Sequence, residues 1–138
     1  MTQKANDNFY VETTNQIQIS VQPTYLPEQS EPNDSHYVWA YHIRIENLGE
    51  GKVQLLNRYW KISDANGAQQ EVRGPGVVGE QPIIMPGDIF EYSSGTPLKT
   101  SSGIMMGSYE METADGDHFD ATVPTFSLDI PNQKVQIH

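Results

Sequence analysis

Along this chain apolar and polar residues alternate at every second position, the period of a strand whose two faces meet different surroundings. Ile17-Gln18-Ile19-Ser20-Val21 shows the pattern first. It is clearest over residues 37–45, where Tyr37, Trp39, Tyr41, Ile43 and Ile45 share one face and Val38, Ala40, His42 and Arg44 the other. That aromatic face predicts one wall of a core, carried by a half-buried antiparallel strand. Residues 53–63 predict a second long strand. Its apolar set changes parity between Leu55-Leu56 and Trp60-Ile62, which predicts a β-bulge near Asn57. Shorter strands follow at 68–73, 83–84, 89–93, 104–112 and 119–123, and Phe126 and Leu128 close the domain.

The segments between are rich in turn residues. Pro23, Pro27 and Pro32 mark a loop, Asn47-Leu48-Gly49-Glu50-Gly51 a turn, and Ser94 to Gly103 a second loop. Asp64-Ala65-Asn66-Gly67 predicts a hairpin with a two-residue type I′ turn, and Asp115-Gly116 another tight turn. With roughly seven to nine strands and no helical period, the expected fold is all-β: an antiparallel sandwich of the immunoglobulin or fibronectin type III kind. Residues 1–14 read as a flexible N-terminal segment, 15–130 as one domain and 131–138 as a polar tail.

Composition narrows the function. At 138 residues the chain can build one core unaided, and it has no cysteine for a disulfide, a thiolate nucleophile or a zinc site. Its N-terminus has no apolar run, and no stretch approaches the roughly 20 apolar residues of a membrane span, so a cytoplasmic, soluble protein is expected. Eighteen carboxylates against eight basic residues give a net charge of −10, a poor match for nucleic acid or anionic membranes. The charge would attract cations or a basic partner, or serve solubility alone.

Candidate chemistry centres on Glu71-Val72-Arg73-Gly74-Pro75-Gly76-Val77-Val78-Gly79-Glu80-Gln81-Pro82. The spacing G-x-G-x-x-G suggests a dinucleotide loop, but Pro82 and Pro86 forbid the helix such a loop must open. A two-residue turn at Asn66-Gly67 would set Trp60 opposite Arg73 and Tyr59 opposite Gly74. Arg58 would then lie diagonally beside Arg73 on one face. Arg58, Arg73 and the backbone of Gly74, Gly76 and Gly79 would form an anion site for phosphate, pyrophosphate or a nucleotide. Two other readings stand beside it: a tight crossover with its arginines paired to Glu71 or Glu80, and a protein-contact loop. Glu110, Glu112, Asp115, Asp117, His118 and Asp120 form a weak metal candidate, at a hairpin tip whose charges are explained as well by solvation. The four histidines form no pair at ligand spacing, and His42 is expected at the surface. Met105, Met106, Met111 and Tyr109 read as core. No local catalytic signature and no cofactor motif is present, so no enzyme is expected.

Val53-Gln54-Leu55-Leu56-Asn57-Arg58-Tyr59-Trp60, Asp64-Ala65-Asn66-Gly67 and the run from Glu71 to Pro82 closely resemble the ApaG family, also called CorD. Phe90-Glu91-Tyr92-Ser93-Ser94-Gly95 and Gly103-Ile104-Met105-Met106-Gly107-Ser108-Tyr109 continue the resemblance, which covers residues 15–130. It implies a fibronectin type III-like fold and a non-enzymatic module for protein–protein contact, and it links the chain to cobalt and magnesium resistance. The partner is unidentified, and a homodimer through sandwich edges is a further expectation. Many members carry His in the middle of the Arg-x-Trp triplet, where this chain has Tyr59. Any metal or acid/base role of that histidine does not transfer. No tight metal site is expected.

Overall fold

The computed structural model describes residues 9–131. Nine strands run in the order β1 (Tyr10–Thr14), β2 (Ile17–Tyr25), β3 (Tyr37–Asn47), β4 (Val53–Asp64), β5 (Gln69–Pro75), β6 (Ile83–Ile84), β7 (Ile89–Leu98), β8 (Gly103–Thr113) and β9 (His118–Leu128), among the described residues. One sheet has the order β1-β2-β3-β7 and the other β5-β4-β8-β9, with β6 also on β4, and every pairing is antiparallel. The expected sandwich is what the chain forms. Between the sheets, Trp39, Tyr41, Ile43 and Ile45 face Leu55, Trp60, Tyr109 and Phe126. The Trp60 ring lies 5.4 Å from Tyr41, 6.1 Å from Tyr109 and 6.2 Å from Phe126, edge-on to each. Edge-on contact sets the positive rim of one ring against the negative face of the next.

The predicted bulge is present: Leu55 pairs with Met111 and Asn57 with Glu110, leaving Leu56 as the inserted residue. Elsewhere strands are longer than their patterns. Tyr10–Thr14, placed in the flexible N-terminal segment by sequence, forms β1, because Tyr10 packs on Phe126 and Thr14 Oγ1 accepts from the Thr122 N–H. Residues 1–8 of that segment and the tail from residue 132 lie outside the described residues. β2 continues through Pro23 to Tyr25, opposite Tyr41 and Trp39. The predicted loop at 94–103 is largely strand: Ser94, Thr96 and Leu98 pair with Tyr41, Trp39 and Tyr37. Its Ser, Gly and Pro residues disguise an edge strand, where the missing N–H of Pro97 need not break a ladder bond. Met106, read as core, is instead exposed on the outer face of β8.

The two long sides of the sandwich differ. On one, β1 and β2 lie against β9 and close the core. On the other, β7 and β5 end their sheets, and the segment from Gly76 to Pro82 covers part of the gap.

Candidate functional site

The β4–β5 hairpin decides where the arginines go, and its register is one residue away from the expected one. The Asp64 N–H donates to the Ala68 carbonyl at 3.0 Å and the Gly67 N–H to the Asp64 carbonyl at 3.1 Å, so Ala65-Asn66-Gly67 is a three-residue loop. Asp64 Oδ1 also accepts from the Asn66 and Ala68 amides, which favours a type I turn followed by left-handed Gly67 over type I′. Arg58 therefore faces Gly74, Tyr59 faces Arg73, and Trp60 faces Val72. The two arginines part company. Arg73 lies outside, 4.4 Å over the Tyr59 ring and 3.9 Å from Glu71. Arg58 shares the inner face of β4 with buried Trp60 and Ile62.

The glycine loop hangs on the bulge. The Leu56 carbonyl accepts from the Gly76 N–H at 2.8 Å and from Gln81 Nε2 at 2.9 Å. Arg58 Nη1 donates to the carbonyls of Pro75 and Gly76, each at 3.0 Å. A Cβ on Gly74 would lie 3.0–3.1 Å from the Arg58 guanidinium, so glycine gives that group its room. Val77 and Glu80 exchange backbone hydrogen bonds of 2.8 and 2.9 Å around Val78 and Gly79, whose φ values are +42° and +83°. This is a type I′ turn. Thus the Gly76 amide that was to hold an anion is engaged by Leu56, and the Val77 and Glu80 amides by each other.

Beneath this loop lies a cleft of about 440 Å³ between β5 and β7. Val77, Val78 and Gly79 form its lip, and Ser94, Gly95, Thr96 and Pro97 one wall. Arg58, Tyr41, Trp60 and Tyr92 reach it from the core, and Ile62, Val72 and Met105 complete the apolar lining. The Tyr92 and Tyr109 hydroxyls share a hydrogen bond of 2.5 Å, and Tyr41 bonds the Ser94 side chain. Burial pushes all three phenols above their ordinary value, and the Arg58 charge offsets only part of this. They stay protonated at physiological pH and offer hydroxyls, not phenolate bases.

The acidic candidates fall on a different surface. Glu110 faces Asp120, and Glu112 faces His118, across β8 and β9. His118 Nδ1 lies 2.8 Å from Glu110 and its Nε2 3.5 Å from Glu112, while Glu110 also accepts from Asn57 at 2.7 Å. Asp115 and Asp117 stay at the exposed tip. Among the described residues no three of these groups are set to hold a metal ion. The bond to Glu110 chiefly raises the His118 pKa, and the bond from Asn57, then that from His118, lowers Glu110. His118 contributes stability below its unfolded value near 6.5 and loses it as pH rises through the raised folded value. Glu110 contributes above its unfolded value near 4.5 and loses that as pH falls through the lowered folded value. The cluster is fully formed between those unfolded values. Glu110→Gln should lower the midpoint of His118 in an NMR titration of its ring protons; an unmoved midpoint would show that the pair does not form.

One constellation escaped the sequence reading. His42 Nε2 donates to Glu91 at 2.6 Å, and Ser93 Oγ is 2.8 Å from its Nδ1. The register of β3 and β7 sets His42 opposite Ser93 and Arg44 opposite Glu91, across about fifty positions of sequence. The group lies on the solvent face of the sheet, away from the cleft, and His42 and Glu91 side chains are 41% and 49% exposed.

The ApaG domain model matches residues 27–113. Protein ApaG of Paramagnetospirillum magneticum is 57% identical over 94% of this chain and 99% of its own length. Protein ApaG of Parvibaculum lavamentivorans is 59% identical over the same shares. The crystal structure of the putative ApaA protein from Bordetella pertussis is 43% identical, with a TM-score of 0.82 over 89% of this chain and 97% of that one. No described helix is long and apolar enough to cross a membrane. The chain belongs to the ApaG domain family.

Proposed function

We propose that this ApaG-domain protein is a cytoplasmic, non-enzymatic binding module that contacts another protein through the open side of its sandwich. The observation that carries the reading is Val78. A β-branched side chain at positive φ costs about 1–3 kcal/mol, and such strain concentrates where a surface is held ready for use. Here the strained valine is also 57% exposed, on the lip of the cleft. Val77 to Gly79 from the glycine loop and Ser94 to Pro97 from β7 line this cleft together, which makes them the proposed contact surface. Three protonated phenols and one arginine supply no general base, which supports binding over catalysis. A link to cobalt and magnesium resistance would then run through the partner.

Val78→Asn tests this, because Asn tolerates the left-handed region. The variant should be more stable by about 1 kcal/mol in thermal or urea unfolding. Used as bait in a cytoplasmic extract, it should lose the proteins that wild type retrieves, whereas Met106→Ser on the outer face should keep them. If Val78→Asn retrieves the same proteins, the surface is wrongly placed. Capture of nothing but a second copy of this chain would replace the partner by a homodimer.

A further inference from the structure

The open cleft holds a cation without a counterion. Arg58 is half-buried and donates to two backbone carbonyls, yet no carboxylate lies within 4.0 Å of it among the described residues. None of the residues lining the cleft is Asp or Glu, in a chain that has 18 carboxylates. The polar side chains that share the cleft with the guanidinium are neutral: the hydroxyls of Tyr41, Tyr92, Ser94 and Thr96 and the amide of Gln70. A charge drawn partly out of water is satisfied best by an opposite charge, and dipoles offset only part of its lost hydration. The remaining lining is apolar, from Ile62, Val72, Val77, Pro97 and Met105. Carboxylates have been kept out of this cleft while they crowd the outer faces.

From this charge complementarity we infer that the cleft accepts a carboxylate borne next to an apolar side chain, as at the C-terminus of a partner chain ending in an apolar residue. The carboxylate takes the guanidinium fork of Arg58 together with the neighbouring hydroxyls, and the apolar side chain takes the space against Val72, Ile62 and Pro97. A planar guanidinium can pair two oxygens of one carboxylate, which lysine cannot do. The inference rests on the proposed binding surface and names the group that enters it. It also relocates the anion chemistry from the glycine amides to Arg58.

The test is an amide NMR titration with acetyl-leucine, with acetyl-leucine amide and with inorganic pyrophosphate. Acetyl-leucine should shift Val77, Gly79, Gly95 and Thr96 with millimolar affinity, the neutral amide should bind at least tenfold more weakly, and Arg58→Gln should abolish that difference. Should Arg58→Gln unfold, Arg58→Lys keeps the charge and should still lose most of the preference. Equal binding of acid and amide overturns the inference. So does pyrophosphate acting at Gly74, Gly76 and Gly79 when acetyl-leucine does not, which would favour a phosphate site at the loop. If Val78→Asn loses its partners while acetyl-leucine fails to discriminate, the surface stands and its carboxylate chemistry falls. The reverse result keeps the carboxylate site and removes the protein partner.

Discussion

Trp39→Ala should cost about 3–5 kcal/mol of folding stability, the range for deleting a buried tryptophan. Its side chain is fully buried between the sheets, packed 5.3 Å from the Tyr25 ring, and its Nε1 donates to the Asp129 carbonyl at 2.8 Å. That bond ties the end of β9 to β3 across 90 residues of chain. Against a total stability of about 5–15 kcal/mol, the loss is a large fraction. The melting temperature should fall by roughly 10–20 °C. Trp39→Phe separates the parts: most of the ring area stays and the hydrogen bond goes, for a loss of about 1–2 kcal/mol plus a small cavity term. Equal losses in the two variants would show that the indole bond, and not packing, dominates at this position.

Gly76→Ala should be the most damaging single change in the loop. Gly76 has a φ of +62°, and its added Cβ would lie 2.2 Å from the Glu80 carbonyl oxygen, which is backbone and cannot swing aside. The left-handed conformation costs a residue with a Cβ about 1–2 kcal/mol, and forced overpacking adds about 1–3 kcal/mol. Gly79→Ala is the contrast. Its φ is +83°, but its Cβ would meet nothing within 4 Å, so only the conformational term of about 1–2 kcal/mol applies. Urea unfolding of the two variants should show Gly76→Ala losing about twice as much. Partner capture should fail in Gly76→Ala even under conditions where the domain stays folded, because the turn bearing Val78 is displaced.

These two glycines look alike in the G-x-G-x-x-G spacing, and the difference between them shows where sequence reading stops. Alternation made the aromatic wall of β3 legible, since burial of one face writes itself into every second residue. The bulge at Leu56 was legible for the same reason: an inserted residue reverses parity. Turn geometry was harder. Asp64-Ala65-Asn66-Gly67 fits two hairpin loops that differ by one residue, and the choice rests on hydrogen bonds that the Asp64 carboxylate accepts from the Asn66 and Ala68 amides, which no pattern displays. That single residue moved Arg73 off the face it was expected to share with Arg58 and onto the outer side, beside Tyr59 and Glu71. The constellation of His42, Glu91 and Ser93 depends on the register of two strands far apart in sequence, so local signals could not find it. Ser94 to Pro97 carried a loop-like composition because an edge strand needs neither large side chains nor every N–H.

The most direct test of the account is hydrogen exchange on wild-type protein, alone and bound to its captured partner. Binding at the open side predicts added protection at Val77, Val78 and Gly79 and along Ser94 to Thr96, with the outer faces of β8 and β9 unchanged. Protection confined to the Glu110 and His118 face, or to β1, would contradict it.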